Sequence, residues 1–132
     1  MRTARNKTPV LYDDIDPSAI QIGKGIELRD GADVAIIACG VLVSEALKAA
    51  DALSEQGIQA TVIDMHTIKP LDTQLVDRVA ARCGAVVTAE DHSVIGGLGG
   101  AVAEHLSASS CTPLERVGAV SYTHLRAHET LL

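Results

Sequence analysis

Residues 85–106, AVVTAEDHSVIGGLGGAVAEHL, constrain the fold more than any other stretch of this chain. A short apolar, β-branched run at 85–88 is followed by an acidic and imidazole-bearing tip, a glycine-rich bend and a helix-like segment at 101–106. A buried strand, a polar tip, a tight turn and a helix make half of a βαβ unit. Because ligands in open α/β sheets bind beyond the carboxyl ends of strands, the tip is the first place to look for chemistry.

The same alternation of strand and helix occurs twice before this stretch. The apolar run 34–38 (VAIIA) predicts a strand covered on both faces, and periodic apolar positions at 43–53 predict a helix behind it. The run 60–64 (ATVID) predicts a second buried strand, and Asp72 is the expected N-cap of a helix that ends at Gly84. Strands joined by crossover helices run parallel, so we predict a three-layer α/β/α domain.

Two short segments complete the predicted sheet, at 25–29 and at 114–117. Three strand ends, at 39–40, 64–66 and 90–92, are expected to meet at one edge. Aromatic residues make up only 2% of the 132 residues, so the core must be built from Val, Ile, Leu and Ala. Such cores are typical of buried parallel sheets.

Charge and cysteine content exclude several classes of function. The net charge of -6 argues against nucleic-acid binding, and no apolar run approaches the roughly 20 residues of a membrane span. The basic N-terminus lacks the apolar segment of a secretory signal. Cys39, Cys83 and Cys111 are dispersed and are interpreted as small core residues. We therefore expect a reduced, cytoplasmic protein.

The two ends of the chain differ from its centre. Residues 1–24 are polar and irregular, which predicts a connector, and RTARNKTPV looks like the middle of a longer protein. His124 and His128 have a spacing that can bind zinc on a helix, but the sequence suggests no further ligand nearby. Residues 120–132 are instead similar to a translated transposase adapter, so we expect an artefact there and a native end near Ala119.

The glycine-rich bend has two open interpretations. Free amides between Gly96 and Gly100, at the start of a helix, could hold a phosphate or a carboxylate. Alternatively, the glycines only turn the chain sharply and let the helix approach the sheet. The dinucleotide fingerprint GxGxxG is not met, because Gly97 and Gly99 fit but Val102 replaces the third glycine.

Three side chains near the bend are candidates for a crevice or an interface. Glu90 and His92 predict either an acid/base pair or a hydrogen-bonded pair at a subunit contact. His66, after a predicted strand, could reach the same edge as a functional or an oriented structural group. His105, beside Glu104, is interpreted as solvated. The candidate set is His66, Glu90, His92, Gly96 and Gly97.

Three segments together resemble the C-terminal domain of transketolases. They are GKGIELRDGADVAIIACG, MHTIKPLD and TAEDHSVIGGLGGAVAEHL. The resemblance covers residues 2–118 and is greatest to the short C-terminal subunit of transketolases split into two chains. RTARNKTPV is similar to the end of the pyrimidine-binding domain that precedes it there. 1-Deoxyxylulose-5-phosphate synthase and the β subunit of 2-oxoacid dehydrogenases share this domain and remain alternatives.

The resemblance implies a five-stranded, mostly parallel mixed sheet between helices, with the first strand antiparallel. It also implies transfer of a two-carbon ketol unit between sugar phosphates, with thiamine diphosphate and a divalent metal such as Mg²⁺. In the family, other domains hold the cofactor, the metal and the activating glutamate. We therefore carry over no catalytic, cofactor-binding or metal residue, and we expect this chain alone to be inactive.

The resemblance also implies which partners the chain has and which element follows its last strand. The expected partners are the cofactor-binding and pyrimidine domains or subunit. The complete protein is expected to self-associate, and the role implied for this domain is mainly subunit assembly. Family members continue past the last strand into a closing helix, so we expect an exposed apolar strip and marginal folding here. The alternative of a different class is a regulatory module that binds a small anion in the crevice at His66 and His92.

Overall fold

The computed structural model describes residues 1, 3, 5 and 7–119. Within these residues, a short 3-10 turn at Pro17–Ala19 precedes an alternation of strands and helices. The elements are β1 (Ile26–Arg29), β2 (Val34–Ala38), α1 (Leu42–Glu55), β3 (Ala60–Asp64), α2 (Thr73–Cys83), β4 (Val86–Ser93), α3 (Leu98–Ser109) and β5 (Leu114–Ala119). The tail at 120–132, with the predicted adapter sequence and both of its histidines, lies outside the described residues.

The five strands form one mixed sheet in the order β1-β3-β2-β4-β5. β1 runs antiparallel to β3, with Ile26 opposite Asp64, and the other neighbouring strands are parallel. Helices connect the parallel strands, as crossover connections require. The predicted α/β fold with an antiparallel first strand is confirmed.

The two faces of the sheet are covered by different helices. α1 packs on one face through small aliphatic side chains, whereas α2 and α3 pack on the other. The α1 cluster contains Ile36, Ala38, Val43, Ala46, Ala50, Ala60, Val62 and Ala89. The opposite cluster includes Ile37, Ile63, Met65, Leu75, Val76, Val79, Leu98, Val102 and Leu106. The core is therefore aliphatic, as the scarcity of aromatic residues requires.

The predicted boundaries of α2 are confirmed in detail. Oδ1 of Asp72 accepts a hydrogen bond from the amide of Leu75 at 3.2 Å, which caps the first turn. Gly84 ends the helix with φ 73°, a left-handed conformation that favours glycine. Cys39 and Cys83 are buried as predicted, but Cys111 is exposed after α3, so its assignment to the core was wrong.

β4 is longer than its apolar run predicts. It pairs with β2 only as far as Ala89, opposite Ala38, but β5 continues beside it until Ser93 pairs with Ala119. The acidic and histidine-bearing segment at 90–92 is therefore part of the strand, and not a polar tip beyond its end as we expected. Backbone pairing with β5 explains the difference, because it extends the strand regardless of side-chain polarity.

One part of the α1 face keeps apolar side chains accessible. Val117 of β5 is 43% exposed and pairs with Ala89, which belongs to the α1 cluster. Val87, two residues before Ala89 on β4, is half-buried. That a closing helix covers this strip in a longer protein stays a prediction.

Residues 7–24 are irregular apart from the 3-10 turn, in agreement with the predicted connector. Its derivation from a pyrimidine-binding domain stays a prediction. Across the described residues, no helix has the length and apolar character needed to cross a membrane.

Candidate functional site

The carboxyl ends of β2, β3 and β4 meet at one edge of the sheet, as predicted. A cleft of about 910 Å³ lies there. Its described lining comprises Cys39, Gly40, Val41, His66, Thr67, Ile68, Lys69 and Asp91 from the domain, and Met1, Thr3, Arg5 and Ile22 from the connector. Of the five candidate residues, His66 alone is among this lining.

The side chain of Glu90 lies against the glycine-rich turn that precedes α3. Its side chain is 1% exposed, and its two carboxylate oxygens accept hydrogen bonds from the first amides of α3. Oε1 lies 2.9 Å from the nitrogen of Leu98, and Oε2 lies 2.7 Å from that of Gly99. A carboxylate at a helix N-terminus both caps unpaired donors and complements the helix dipole. Glu90 thus supplies from β4 the N-terminal cap that α3 lacks in its own sequence.

Two glycines make this arrangement possible. A β-carbon on Gly97 would lie 1.9 Å from Oε1 of Glu90 and 2.8 Å from the carbonyl oxygen of Ser93, so no larger residue fits. Gly96 has open space around it but a φ of 74°, which side chains rarely adopt. These observations favour the structural interpretation of the bend. A phosphate at the start of α3 would meet the Glu90 carboxylate, which already uses the amides.

Glu90 and His92 do not form the hydrogen-bonded pair that the sequence suggests. Nδ1 of His92 lies 4.0 Å from Oε1 of Glu90, beyond hydrogen-bonding distance, and 3.2 Å from the carbonyl oxygen of Ser93. The His92 side chain is 45% exposed while that of Glu90 is buried. Direct proton exchange between them therefore has no geometric support. A contact of His92 with another subunit stays a prediction.

His66 lies at the opposite side of the same edge, after β3. It is exposed, and its Nδ1 is 2.9 Å from the hydroxyl of Thr67. Lys69 and Arg5 also line the cleft, whereas Asp91 contributes a carboxylate. The cleft therefore mixes both signs of charge.

Sequence reasoning missed two contacts between distant residues. The hydroxyl of Tyr12, in the connector, donates a hydrogen bond of 2.7 Å to Oδ2 of Asp64 at the end of β3. Burial, and then the Asp64 carboxylate, raise the pKa of Tyr12 well above its usual range. Nε2 of His105 lies 2.7 Å from Oδ1 of Asp77 and links α3 to α2, so its interpretation as a solvated residue was wrong. No local pattern marks either pair.

A bound diphosphate and its metal do not fit the described residues. In residues 1, 3, 5 and 7–119, no three His, Cys, Asp or Glu side chains group as metal ligands. The α3 amides, the strongest anion-binding feature of the turn, are engaged by Glu90. The fold and the closed turn define a three-layer α/β/α domain whose glycine-rich bend serves its own structure.

Comparison with known proteins gives this domain a family. The profile described as “Transketolase, C-terminal domain” matches residues 23–131. The chain belongs to the transketolase C-terminal domain family. Transketolases are in general thiamine diphosphate-dependent enzymes.

Individual relatives agree with this assignment. The chain is 49% identical over 112 residues to the 6-deoxy-6-sulfo-D-fructose transketolase subunit of Clostridium sp. (strain MSTE9), covering 85% of this chain and 35% of the relative. It is 46% identical to the 1-deoxy-D-xylulose-5-phosphate synthase of Trichormus variabilis, covering 83% and 17%. A solved structure described as a split gene transketolase, inactive beta4 tetramer, superimposes with TM-score 0.87 at 42% identity, covering 96% and 41%. The chain thus spans about a third of the first relative and less than half of this structure's chain.

Proposed function

We propose that this chain acts as the C-terminal part of a thiamine diphosphate-dependent transketolase that transfers two-carbon ketol units between sugar phosphates. The observation that carries the proposal is the superposition of 96% of this chain on a split gene transketolase chain, with TM-score 0.87 and 42% identity. In the assembled enzyme, the thiamine ylid supplies the carbon–carbon chemistry. We also propose a cytoplasmic location, in line with the dispersed cysteines.

The role proposed for this domain is assembly. The turn that would otherwise present helix amides to a phosphate is closed by Glu90, whose carboxylate packs where a β-carbon on Gly97 would lie. The cofactor, the metal and the reacting sugars are therefore assigned to other segments or another subunit. This chain supplies a rigid sheet that those segments dock against, and it is inactive alone.

A second candidate is the equivalent part of a 1-deoxy-D-xylulose-5-phosphate synthase. The 46% identity to the Trichormus variabilis enzyme supports it. Both candidates are thiamine enzymes that carry this domain, and they catalyse different reactions. Discriminating them requires assays of both reactions.

A domain exchange tests the proposal. Residues 23–119 replace the matching domain in the split gene transketolase chain, and the complementary subunit, thiamine diphosphate and Mg²⁺ are added. We expect ketol transfer from xylulose 5-phosphate to ribose 5-phosphate by the assembled chimera, and none by our chain alone. The same exchange into a 1-deoxyxylulose-5-phosphate synthase, followed by an assay of synthase activity, tests the second candidate.

Each outcome of the exchange is informative. Turnover by the chain alone would contradict the assembly role. A chimera that elutes at the size of the assembled enzyme yet transfers nothing would contradict membership of a transketolase. Activity only in the synthase chimera would favour the second candidate.

A further inference from the structure

The connector crosses the edge of the sheet where ligands of open α/β folds bind. Thr8, Pro9 and Leu11 line a cavity of about 390 Å³ with Gly40, Val41 and Ser44 at the start of α1. Ile22 lines the larger strand-end cleft. The connector therefore lies against the ends of β2 and β3 before it enters the sheet.

Contacts at two points fix this path. Midway, the Tyr12 hydroxyl donates a 2.7 Å hydrogen bond to the carboxylate of Asp64, a residue that is only 8% exposed. At the end of the connector, the amide of Gly25 donates a 3.0 Å hydrogen bond to Oδ2 of Asp72, the residue that caps α2. The second contact adjoins β1 and anchors the connector to the core. The first is a single side-chain hydrogen bond across 52 residues.

We propose that residues 7–24 form a strap over the ends of β2 and β3, packed against Gly40 and Val41, and that the Tyr12–Asp64 hydrogen bond is the latch that holds it. Loss of the latch frees the strap between residue 7 and the Gly25 anchor while the sheet and helices stay folded. The strap then controls access to Cys39, which directly follows β2 and precedes Gly40. This device does not depend on ketol transfer, so it can fail or hold independently of the proposed function.

The positions of the cysteines make the strap measurable. Cys39 is 7% exposed and precedes Gly40, which lines the smaller cavity together with Thr8, Pro9 and Leu11 of the strap. Cys83 is buried at the other end of the sheet, where its sulfur lies 3.4 Å from the carbonyl oxygen of Gly31. Cys111 is exposed. Opening of the strap changes access to Cys39 and leaves the other two thiols as internal references.

The test is maleimide labelling of the full chain, followed by mass spectrometry of each cysteine peptide. In Tyr12→Phe we expect labelling of Cys39 to accelerate roughly tenfold, the change in an opening equilibrium that follows loss of one hydrogen bond to a charged group. Cys83 keeps its slow rate and Cys111 its fast one. Tyr122→Phe makes the same chemical change outside the strap and serves as the matched control.

Two results would overturn the proposal. An unchanged Cys39 rate in Tyr12→Phe would mean that the hydrogen bond holds nothing closed. A parallel acceleration at Cys83 would mean that Tyr12 supports the whole fold rather than a local strap. If the latch is right, Asp64→Ala accelerates Cys39 labelling as Tyr12→Phe does, and the double variant adds no further increase.

Discussion

The carboxylate of Glu90 occupies the space that a side chain on residue 97 would need. An ideal β-carbon on Gly97 would lie 1.9 Å from Oε1 of Glu90 and 2.7 Å from its Cδ. The carboxylate cannot retreat without leaving the amides of Leu98 and Gly99 unpaired in a buried turn. Glycine at 97 and glutamate at 90 are therefore parts of a single arrangement.

Gly97→Ala is expected to lower the free energy of unfolding by at least about 2 kcal/mol, because the turn must shift or the cap must break. Gly100→Ala is the matched control. Its β-carbon would have one neighbour, the carbonyl oxygen of Val94, at an ordinary 3.7 Å. In a helix, that change should stabilise by about 0.5–1 kcal/mol. Urea denaturation followed by circular dichroism measures both, and equal effects would contradict the steric argument.

Glu90→Gln is expected to destabilise the protein by about 1–3 kcal/mol. The amide oxygen can accept one of the two helix amides, but the NH₂ group would face the other donor. Asp91→Asn, the same change on an exposed neighbour, should alter stability by less than about 0.5 kcal/mol. Thermal and urea unfolding of the two variants provide the comparison. If Glu90→Gln left the free energy of unfolding unchanged, the carboxylate would not be the cap of α3.

Two buried threonines on β4 and β3 should respond in opposite directions to replacement by valine. Oγ1 of Thr88 has no hydrogen-bond partner among the described residues, so Thr88→Val should leave stability unchanged or raise it by up to about 1 kcal/mol. Oγ1 of Thr61 donates to the Gly31 carbonyl at 2.6 Å and accepts from the Gly31 amide at 2.9 Å. Thr61→Val should therefore cost about 1–3 kcal/mol. A large loss in Thr88→Val would reveal a partner for that hydroxyl.

Tyr12 should ionise at higher pH in the folded chain than in the unfolded one. Its pKa is raised from the usual 10.0 by burial and by the hydrogen bond to Asp64. Below pH 10 the phenol is protonated in both states, so its contribution to stability is complete. As the pH rises from about 10 toward the folded pKa, the unfolded chain loses this proton first, and the free energy of unfolding falls.

Absorbance at 295 nm can follow this titration in Tyr122→Phe, where Tyr12 is the only remaining tyrosine. The midpoint in buffer should lie above that in denaturant. The shift should shrink when Asp64→Asn removes the charge and leaves burial in place. Coincident midpoints would contradict a buried, hydrogen-bonded phenol.

The accessible strip on β5 should promote association. Val117→Thr is expected to reduce light scattering at a given protein concentration, because Val117 adjoins other apolar side chains on the α1 face. Val10→Thr changes a more exposed valine, at 73%, in the connector and should have little effect. A cooperative thermal transition in a dilute, monomeric sample of residues 1–119 would contradict our expectation of marginal folding.

The buried strands could be predicted from sequence because both of their faces are apolar. β2 and β3 coincide with VAIIA and ATVID, residue for residue. The ends of α2 could also be predicted, because Asp72 and Gly84 are the residues that cap the helix in the structure. In each case, the physics that determines the element is contained within a few consecutive residues.

The rest depended on partners that are distant in sequence. β4 extends through Glu90 to Ser93 because β5 pairs with it, and no property of the segment itself reveals that neighbour. The candidate site shows the same division. Residues 90–92 and 96–97 were identified as a unit, but only the three-dimensional arrangement shows that Glu90 faces the helix amides rather than a ligand.

The fit between Glu90 and Gly97 also bears on how such a domain can evolve. A substitution at only one of the two positions disrupts the start of α3. We therefore expect the two residues to change together in evolution or not at all. A homologue with alanine at the second position should carry a shorter acid, or none, at the first. The residues at these two positions would then distinguish homologues in which this turn has a different structure. In those homologues the first amides of α3 would be available to bind another group.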